Sequence, residues 1–421
     1  MGTIIKYGLK LLGILLPAGV LYAYAMFQGG FVSWFLFFST LPIFLYMMLL
    51  FFYPMARIKI ERNLSPVITE TGSTIEVDIT FKRPRLLPLY YCIIEDMFPD
   101  SVQYRDTKRK KFAHMASPDV LRENRRAKKV IFPWFKGTFS FKYQIDELPR
   151  GEHLFHQVRV VTGDFIGFIK REKTFDVENS VMVYPTERKL LLHKHAQSFE
   201  EGESSSYNRM VKNTMAVSGV REYVPGDRMS WIDWKATAKN NTMMTKEFEQ
   251  EKSQDMYVLF NASEMDSYNW LTFEGAVEVA VSLIDSIKEE SAQLFFASLG
   301  ADRKVIPVHK NPMSKEQVKR YLTTVQPENH LPFGQMIKQE TGNLPKGYMS
   351  MVITTDLSLE LYETLLHLNR KSSRIVLFLV KSGSLVSGEE HQRLKYLKSS
   401  GVVINLLTEE ILTKEKIEVN A

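Results

Sequence analysis

Two long apolar stretches open the chain. Leu9 to Phe27 is apolar apart from Lys10 near its start, tyrosines and small residues, and Phe31 to Tyr53 is interrupted only by a proline and hydroxyl side chains. Each approaches or exceeds the ~20 residues needed to cross a ~30 Å hydrocarbon core. Gln28-Gly29-Gly30 between them is a polar turn, so the pattern predicts a transmembrane hairpin over residues 1–55. A cleaved signal peptide is the alternative for the first stretch. A second long span follows at once, and no clear small-x-small cleavage site precedes it, which favours the hairpin. Lys6 and Lys10 flank the start of the first span, Arg57, Lys59 and Arg62 follow the second, and the turn holds no Lys or Arg. The positive-inside rule then places both termini in the cytoplasm and the chain in the cell membrane.

Beyond the membrane the period becomes two. Ile75, Val77, Ile79 and Phe81 alternate with Glu76, Asp78, Thr80 and Lys82. Phe139, Phe141, Tyr143 and Ile145 alternate likewise, and Val158 and Val160 begin another run. Alternation puts one strand face in a core and the other in water. Turns at Gly72-Ser73, Pro84, Pro149-Arg150-Gly151 and Gly163-Asp164 punctuate it, which predicts an antiparallel β-sandwich over residues 56–185. The pattern changes again after a linker and motif region, 186–250. Apolar runs at Met256–Phe260, Leu294–Ala297, Tyr348–Ile353, Ile375–Val380 and Val402–Leu407 read as strands buried on both faces. Helical periodicity lies between them, around 273–284, 315–324, 359–368 and 389–398. A doubly wound α/β domain over 251–421 follows. The expected fold class is therefore multidomain: α-hairpin, β-sandwich, α/β.

Composition adds limits. Of 421 residues 45% are hydrophobic and 24% charged, which excludes wholesale disorder. The one cysteine, Cys92, excludes an intrachain disulfide framework and a multi-cysteine metal site. The net charge of +6 is concentrated: Arg105 to Lys129 holds ten Lys or Arg against three Asp or Glu. A charge run of this kind is commonly a solvated loop. In a domain tethered to a bilayer, Lys108, Arg109, Lys110, Lys111, Arg125, Arg126, Lys128 and Lys129 are also candidates to face anionic lipid headgroups. Without aromatic interleaving, nucleic acid is not expected as a partner.

The densest constellation runs from Ser218 to Lys239. Pro225-Gly226 suits a turn with positive φ at the glycine. Asp227 falls where an N-cap belongs, ahead of a helix expected from Arg228 to Ala238, with Trp231 and Trp234 three apart on one face. Arg221 and Lys235 are placed to stack on the indoles or pair with Asp227 and Asp233. Two roles are open: a clamp between the β and α/β domains, or a docking surface rich in the residue types that anchor interfaces. The docking reading takes Arg221, Tyr223, Pro225, Gly226, Asp227, Trp231, Asp233, Trp234 and Lys235 as partner-binding. Catalysis is not expected, since no serine or cysteine is paired with a histidine there.

The string Arg-Glu-Tyr-x-Pro-Gly-Asp, then Trp-Ile-Asp-Trp-Lys-Ala-Thr-Ala-Lys and Lys246-Glu247-Phe248-Glu249, resembles the bacterial family catalogued as domain of unknown function fifty-eight. The Arg150-Gly151 turn, the Asp164-Phe165-Ile166-Gly167-Phe168 stretch and the Tyr184-Pro185 step look like the same family's layout. The resemblance implies a von Willebrand factor type A-like C-terminal domain. It also implies association with MoxR-type AAA+ ATPases and with transglutaminase-like membrane proteins, in an accessory or assembly role.

A type A domain often carries a metal-ion-dependent adhesion site that begins Asp-x-Ser-x-Ser. Here Asn261, Ser263 and Met265 stand at those positions, with Asp356 as a distal acid. An amide and a thioether are poor magnesium ligands, so a degenerate site without metal is expected. No phosphate loop, dinucleotide fingerprint, zinc helix or nucleophile elbow is present in the sequence. His193 and His195 lack an acidic or thiol partner nearby in sequence. The expectation is a scaffold or adaptor without cofactor, metal or catalytic residues. The competing expectation is a metal-dependent module or an enzyme at the carboxyl edge of the α/β sheet.

Overall fold

A computed structural model describes residues 2–84, 87–193, 215–250, 255–263, 268–288, 293–309, 312–328, 331–342 and 347–420. Helices α1 (Gly2–Gln28) and α2 (Phe31–Phe51) form the expected hairpin, turning at Gly29 with φ +57°. Both are long and apolar enough to cross a membrane. Only 11% of each span is buried inside the protein, so most of this apolar surface is left to its surroundings. The ends nearest the rest of the chain do pack: Ile14, Met47, Leu50 and Tyr53 join the core of the β domain.

That domain contains β1 (Lys59–Ser65), β2 (Ile68–Glu70), β3 (Ile75–Lys82), β4 (Tyr91–Asp96), β5 (Ala127–Ile131), β6 (Thr138–Ile145), β7 (Gly151–Gly163) and β8 (Lys170–Tyr184). One sheet has the order β1-β3-β6 and the other β2-β8-β7-β4-β5. Side chains of both sheets share one apolar core. Pairing is antiparallel except between β2 and β8, which run parallel. Arg62, expected among the basic residues flanking the membrane, is instead buried between the sheets. Its guanidinium donates to Asp96 at 2.5 Å and to the carbonyls of Phe155 and Val177. Tyr143 donates its hydroxyl to the other oxygen of Asp96. A buried carboxylate held by a guanidinium and a phenol fixes the stacking of the two sheets, because an unpaired charge there costs far more than the pair.

A short strand, β9 (Leu190–His193), leads out of this domain. Next come β10 (Met215–Glu222), α3 (Trp234–Asn240) and β11 (Met244–Gln250), described below. The α/β domain follows: β12 (Met256–Asn261), α4 (Trp270–Ile287), β13 (Leu294–Leu299), β14 (Lys304–Val308), α5 (Pro312–Thr324), α6 (Phe333–Thr341), β15 (Met349–Thr354), α7 (Leu359–Asn369), β16 (Arg374–Val380), α8 (Gly388–Ser399), β17 (Val403–Leu407), α9 (Glu409–Leu412) and β18 (Ile417–Asn420). Its sheet has the order β14-β13-β12-β15-β16-β17, parallel except for the edge pair β13–β14. Met256, Val258 and Phe260 of β12 enter the core beneath α4 and α5. Tyr257 and Leu259 enter the opposite core with α6, α7 and α8. Burial on both faces explains the unbroken apolar runs. β18 returns to pair in parallel with β9, which ties the segment after the β domain to the α/β domain.

The joint between the domains is built by residues that sequence alone assigned elsewhere. The basic insertion folds as 3-10 turns, and its Phe112, Met115 and Leu121 sit in the α/β core. Gly275 of α4 makes room for them: a Cβ there would meet the Phe112 ring at 3.3 Å. Lys111, expected to face lipid, is fully buried and bridges Asp106 at 2.6 Å and Glu278 of α4 at 2.7 Å. Burial opposes its charge, but Asp106 and Glu278 outweigh that and hold the ammonium above the ordinary lysine range. Arg150 reaches from the start of β7 to Glu274 at 2.7 Å. It also donates to the carbonyls of Leu322, Thr323 and Val325, so it caps the end of α5. Arg188 donates to the Leu412 and Lys414 carbonyls, and its backbone N–H donates to Ser282. The two domains therefore share one polar framework.

Candidate functional site

Two places bring together chemistry-bearing residues: the motif arm and the carboxyl edge of the α/β sheet.

The arm is a β-hairpin, β10 against β11, with a folded tip between the strands. Val224-Pro225-Gly226-Asp227 is a tight turn closed by Asp227 N–H donating to the Val224 carbonyl at 3.0 Å, and Gly226 has φ +116° as the turn requires. Asp227 is not an N-cap. Its carboxylate accepts from Arg221 at 2.8 Å and from the Val224 N–H at 3.1 Å, so it braces the turn. The Arg221 hydrogen bond and then the Val224 N–H hold its pKa below the usual carboxylate range. The cap is Asp233, which accepts from the N–H groups of Lys235 and Ala236 at 3.0 Å. The helix is consequently shorter than expected, Trp234–Asn240, and ends at Asn241 in the left-handed region. Trp231 lies before it in a 3-10 turn, so the two indoles do not share a helix face. Arg228, rather than Arg221 or Lys235, stands over the Trp231 ring at 5.3 Å. Thr237 ties tip to strand by accepting the Met244 N–H, and Ile232 is buried beneath.

Several large apolar side chains of this framework are exposed. Met229 is 71% exposed and Trp234 68%, with Val220, Val224 and Met243 also exposed. Lys235 is exposed beside them, while Tyr223 is half-buried. Contacts between the β and α/β domains are made by Lys111, Phe112, Arg150 and Arg188, as described.

At the sheet edge a crevice of about 180 Å³ is lined by Ser263, Thr272, Phe273, Thr355, Asp356 and Lys381, among others. Asn261 is buried and engaged through both its amide nitrogen and its oxygen. Its amide nitrogen donates to Thr354 at 3.0 Å, and its oxygen accepts from the Ser263 hydroxyl at 2.6 Å and N–H at 3.0 Å. Lys381 places its ammonium 2.8 Å from Glu390 and 3.7 Å from Asp356. Burial raises the Asp356 pKa, which Lys381 opposes and Glu390 reinforces. An amide already satisfied by its neighbours and a lysine seated between the acids do not fit a divalent cation, which needs several free hard oxygens. Met265 lies outside the described residues. Among the described residues, no three His, Cys, Asp or Glu side chains gather where a metal would be held.

The remaining basic residues of the insertion are dispersed. Lys108, Arg109 and Lys110 are exposed at the pole of the β domain that meets the α/β domain. Gly72, beside Lys108, precedes the eight residues of β3, a span of ~25 Å, after which Arg83 donates to Tyr53 at the foot of the helix hairpin. Arg125 donates to the Asp146 carbonyl and Arg126 to Asn124, while Lys128 and Lys129 are exposed on β5. His193 is exposed on β9, and His195 lies outside the described residues. Sequence reasoning passed over Lys381, Glu390, Glu274 and Glu278. The signal for the last two was present: two carboxylates four apart on a helix apolar on its other faces need cations from another element.

The family described as protein of unknown function DUF58 matches residues 219–381, which span the arm and most of the crevice. An uncharacterized protein, YeaD of Bacillus subtilis (strain 168), is 31% identical over 376 residues, covering 89% of each chain. Likenesses to solved structures are weak. The PilB minor pilin of Streptococcus sanguinis covers 79% of this chain and 87% of its own at 8% identity and a TM-score of 0.29. A CARDB domain from Pyrococcus furiosus covers 30% of this chain and 86% of its own at 7% identity and a TM-score of 0.19. Neither carries weight for fold or function.

Proposed function

Because the chain belongs to the DUF58 family of proteins of unknown function, we propose that it works as a membrane-anchored scaffold that docks a partner protein through the motif arm. The observation that carries this reading is the contrast within the arm. Its polar groups brace the turn and helix, while Met229, Trp234, Val224 and Met243 are displayed outward. Large exposed apolar side chains on a rigid framework are what a docking surface requires, since they lose little entropy on binding.

The finer identity follows from the sequence resemblance. The α/β domain is of von Willebrand factor type A-like kind, the partner is a MoxR-type AAA+ ATPase, and a transglutaminase-like membrane protein belongs to the same assembly. Both termini lie in the cytoplasm, and the protein is not itself an enzyme. The crevice supports this reading over a metal-dependent one, because Lys381 supplies from within the chain the positive charge that a metal would bring.

The test is co-purification from membranes with ATP hydrolysis as readout. The native chain retains an ATPase, and Met229→Ser with Trp234→Ser lowers its recovery at least tenfold at unchanged expression. An ATPase retained in full by that variant would move the docking site elsewhere, and none with the native chain would remove the partner assignment.

A further inference from the structure

At the end of the β domain nearest the hairpin, three loops converge on an exposed aromatic cluster. The Tyr90 ring lies 5.9 Å from Phe132, 5.8 Å from Trp134 and 6.4 Å from Phe165. Phe135 and Ile166 stand beside them, 66% and 61% exposed. Scattered surface hydrophobics need no explanation, but a contiguous aromatic surface of this size does.

The loops are built to hold these side chains outward. Trp134 sits at φ +48°, a region that bulky residues avoid at a cost of about 1–2 kcal/mol. Paired backbone hydrogen bonds with Leu89 at 3.0 Å, and an Arg83 guanidinium on its carbonyl, keep it there. The Phe165–Phe168 turn is fixed by buried Asp164, which accepts the Ile169 N–H at 2.7 Å, and by Gly167 at φ +84°. Folding thus opposes local strain to present aromatic rings away from the core.

Their height relative to the helices names what covers them. Phe168 rests on α1 at Gly13, where a Cβ would meet its ring at 2.5 Å. Tyr46 of α2 donates to the Pro88 carbonyl at 3.2 Å. The apolar spans run Gly8–Gln28 and Phe31–Phe51. Both contacts therefore fall five residues inside a span, or about 7–8 Å at 1.5 Å per residue. Exposed Lys136 and Lys170 rim the cluster, and Lys10 reaches the Lys170 carbonyl at 3.5 Å.

We propose that this tip of the β domain is a second membrane-binding surface, set into the boundary between headgroups and acyl chains of the bilayer that holds the hairpin. The depth matches the ~5–10 Å at which interfacial segments lie. The composition matches too: aromatic rings sit at that boundary, with lysines reaching outward to anionic headgroups. The lipid contact expected from the basic insertion thus belongs to the opposite pole of the β domain. This inference rests on the reading of α1 and α2 as membrane spans.

The test uses the full chain in vesicles of phosphatidylcholine and phosphatidylglycerol, spin-labelled in turn at Ile166→Cys, Phe38→Cys in α2 and Leu359→Cys on α7. Native Cys92 does not compete, being buried with its thiol pushed up to about 12. Collision with oxygen, enriched in lipid, is compared with collision with a water-soluble nickel chelate. The Ile166 label is expected to favour oxygen at least threefold over the Leu359 label and to approach the Phe38 label. If Ile166 follows Leu359 while Phe38 remains in lipid, the tip proposal is overturned and the spans stand. A label at Ile166 shielded from both reagents would assign the tip to a protein and overturn it equally. Nickel access at Phe38 would defeat the membrane reading itself.

Discussion

Lys111 shows how a single side chain can reverse the meaning of a segment. A run of four basic residues reads as solvated, yet the fourth is fully buried between two carboxylates. Removing one partner of such a cluster leaves uncompensated charge inside the protein. Lys111→Met is expected to cost about 3–5 kcal/mol, whereas the exposed neighbour Lys110→Met should stay within about 0.5 kcal/mol. Urea unfolding of the detergent-solubilised chain measures both. His153 gives a pH signature at the same joint. It is buried between Ser101 and the Pro149 carbonyl, and burial lowers its pKa below the ordinary value of 6.5. The unfolded chain therefore takes up the proton first. This contribution is constant above about pH 6.5 and is lost as the pH falls below it. His153→Asn should flatten the decline of melting temperature between pH 7 and pH 5 relative to the native chain. An unchanged slope would show that His153 is not the titrating group. Neither role was legible in the sequence, because Glu278 and Ser101 meet these side chains only through the fold.

Elements were more legible than their ends. The five apolar runs of the C-terminal half all became strands, since burial on both faces leaves an unbroken signature. β14 escaped notice because it is short, contains Pro307 and lies at the edge. In the arm, two acids compete for the cap, and only geometry decides between Asp227 and Asp233. Asp233→Ala removes two bonds to the first turn of α3 and should cost the arm about 1 kcal/mol. Amide hydrogen exchange should show it as faster exchange in Trp234–Asn240 with little change in α4. Trp234 is largely exposed, so the melting temperature of Trp234→Ser should stay within 1–2 °C, or ~0.5 kcal/mol, of the native value.

At the scale of the molecule, the hairpin, the two-sheet domain and the α/β domain were expected in order, and their division along the chain follows from changes in hydrophobic period. What the chain could not announce was the fastening between them. Arg150 and Lys111 cross from the β domain, and Arg188 from the segment that follows it, to satisfy backbone carbonyls or helix carboxylates of the α/β domain. Arg150→Ala should leave the end of α5 and Glu274 without their cation, with a loss of about 2–4 kcal/mol and a second unfolding transition as the domains separate. One cooperative transition in that variant would argue against the joint. The fastening also has a mechanical consequence. A pull exerted on the α/β domain is handed through these ion pairs to the stacked sheets, and from there to the helices where they meet Phe168 and Pro88.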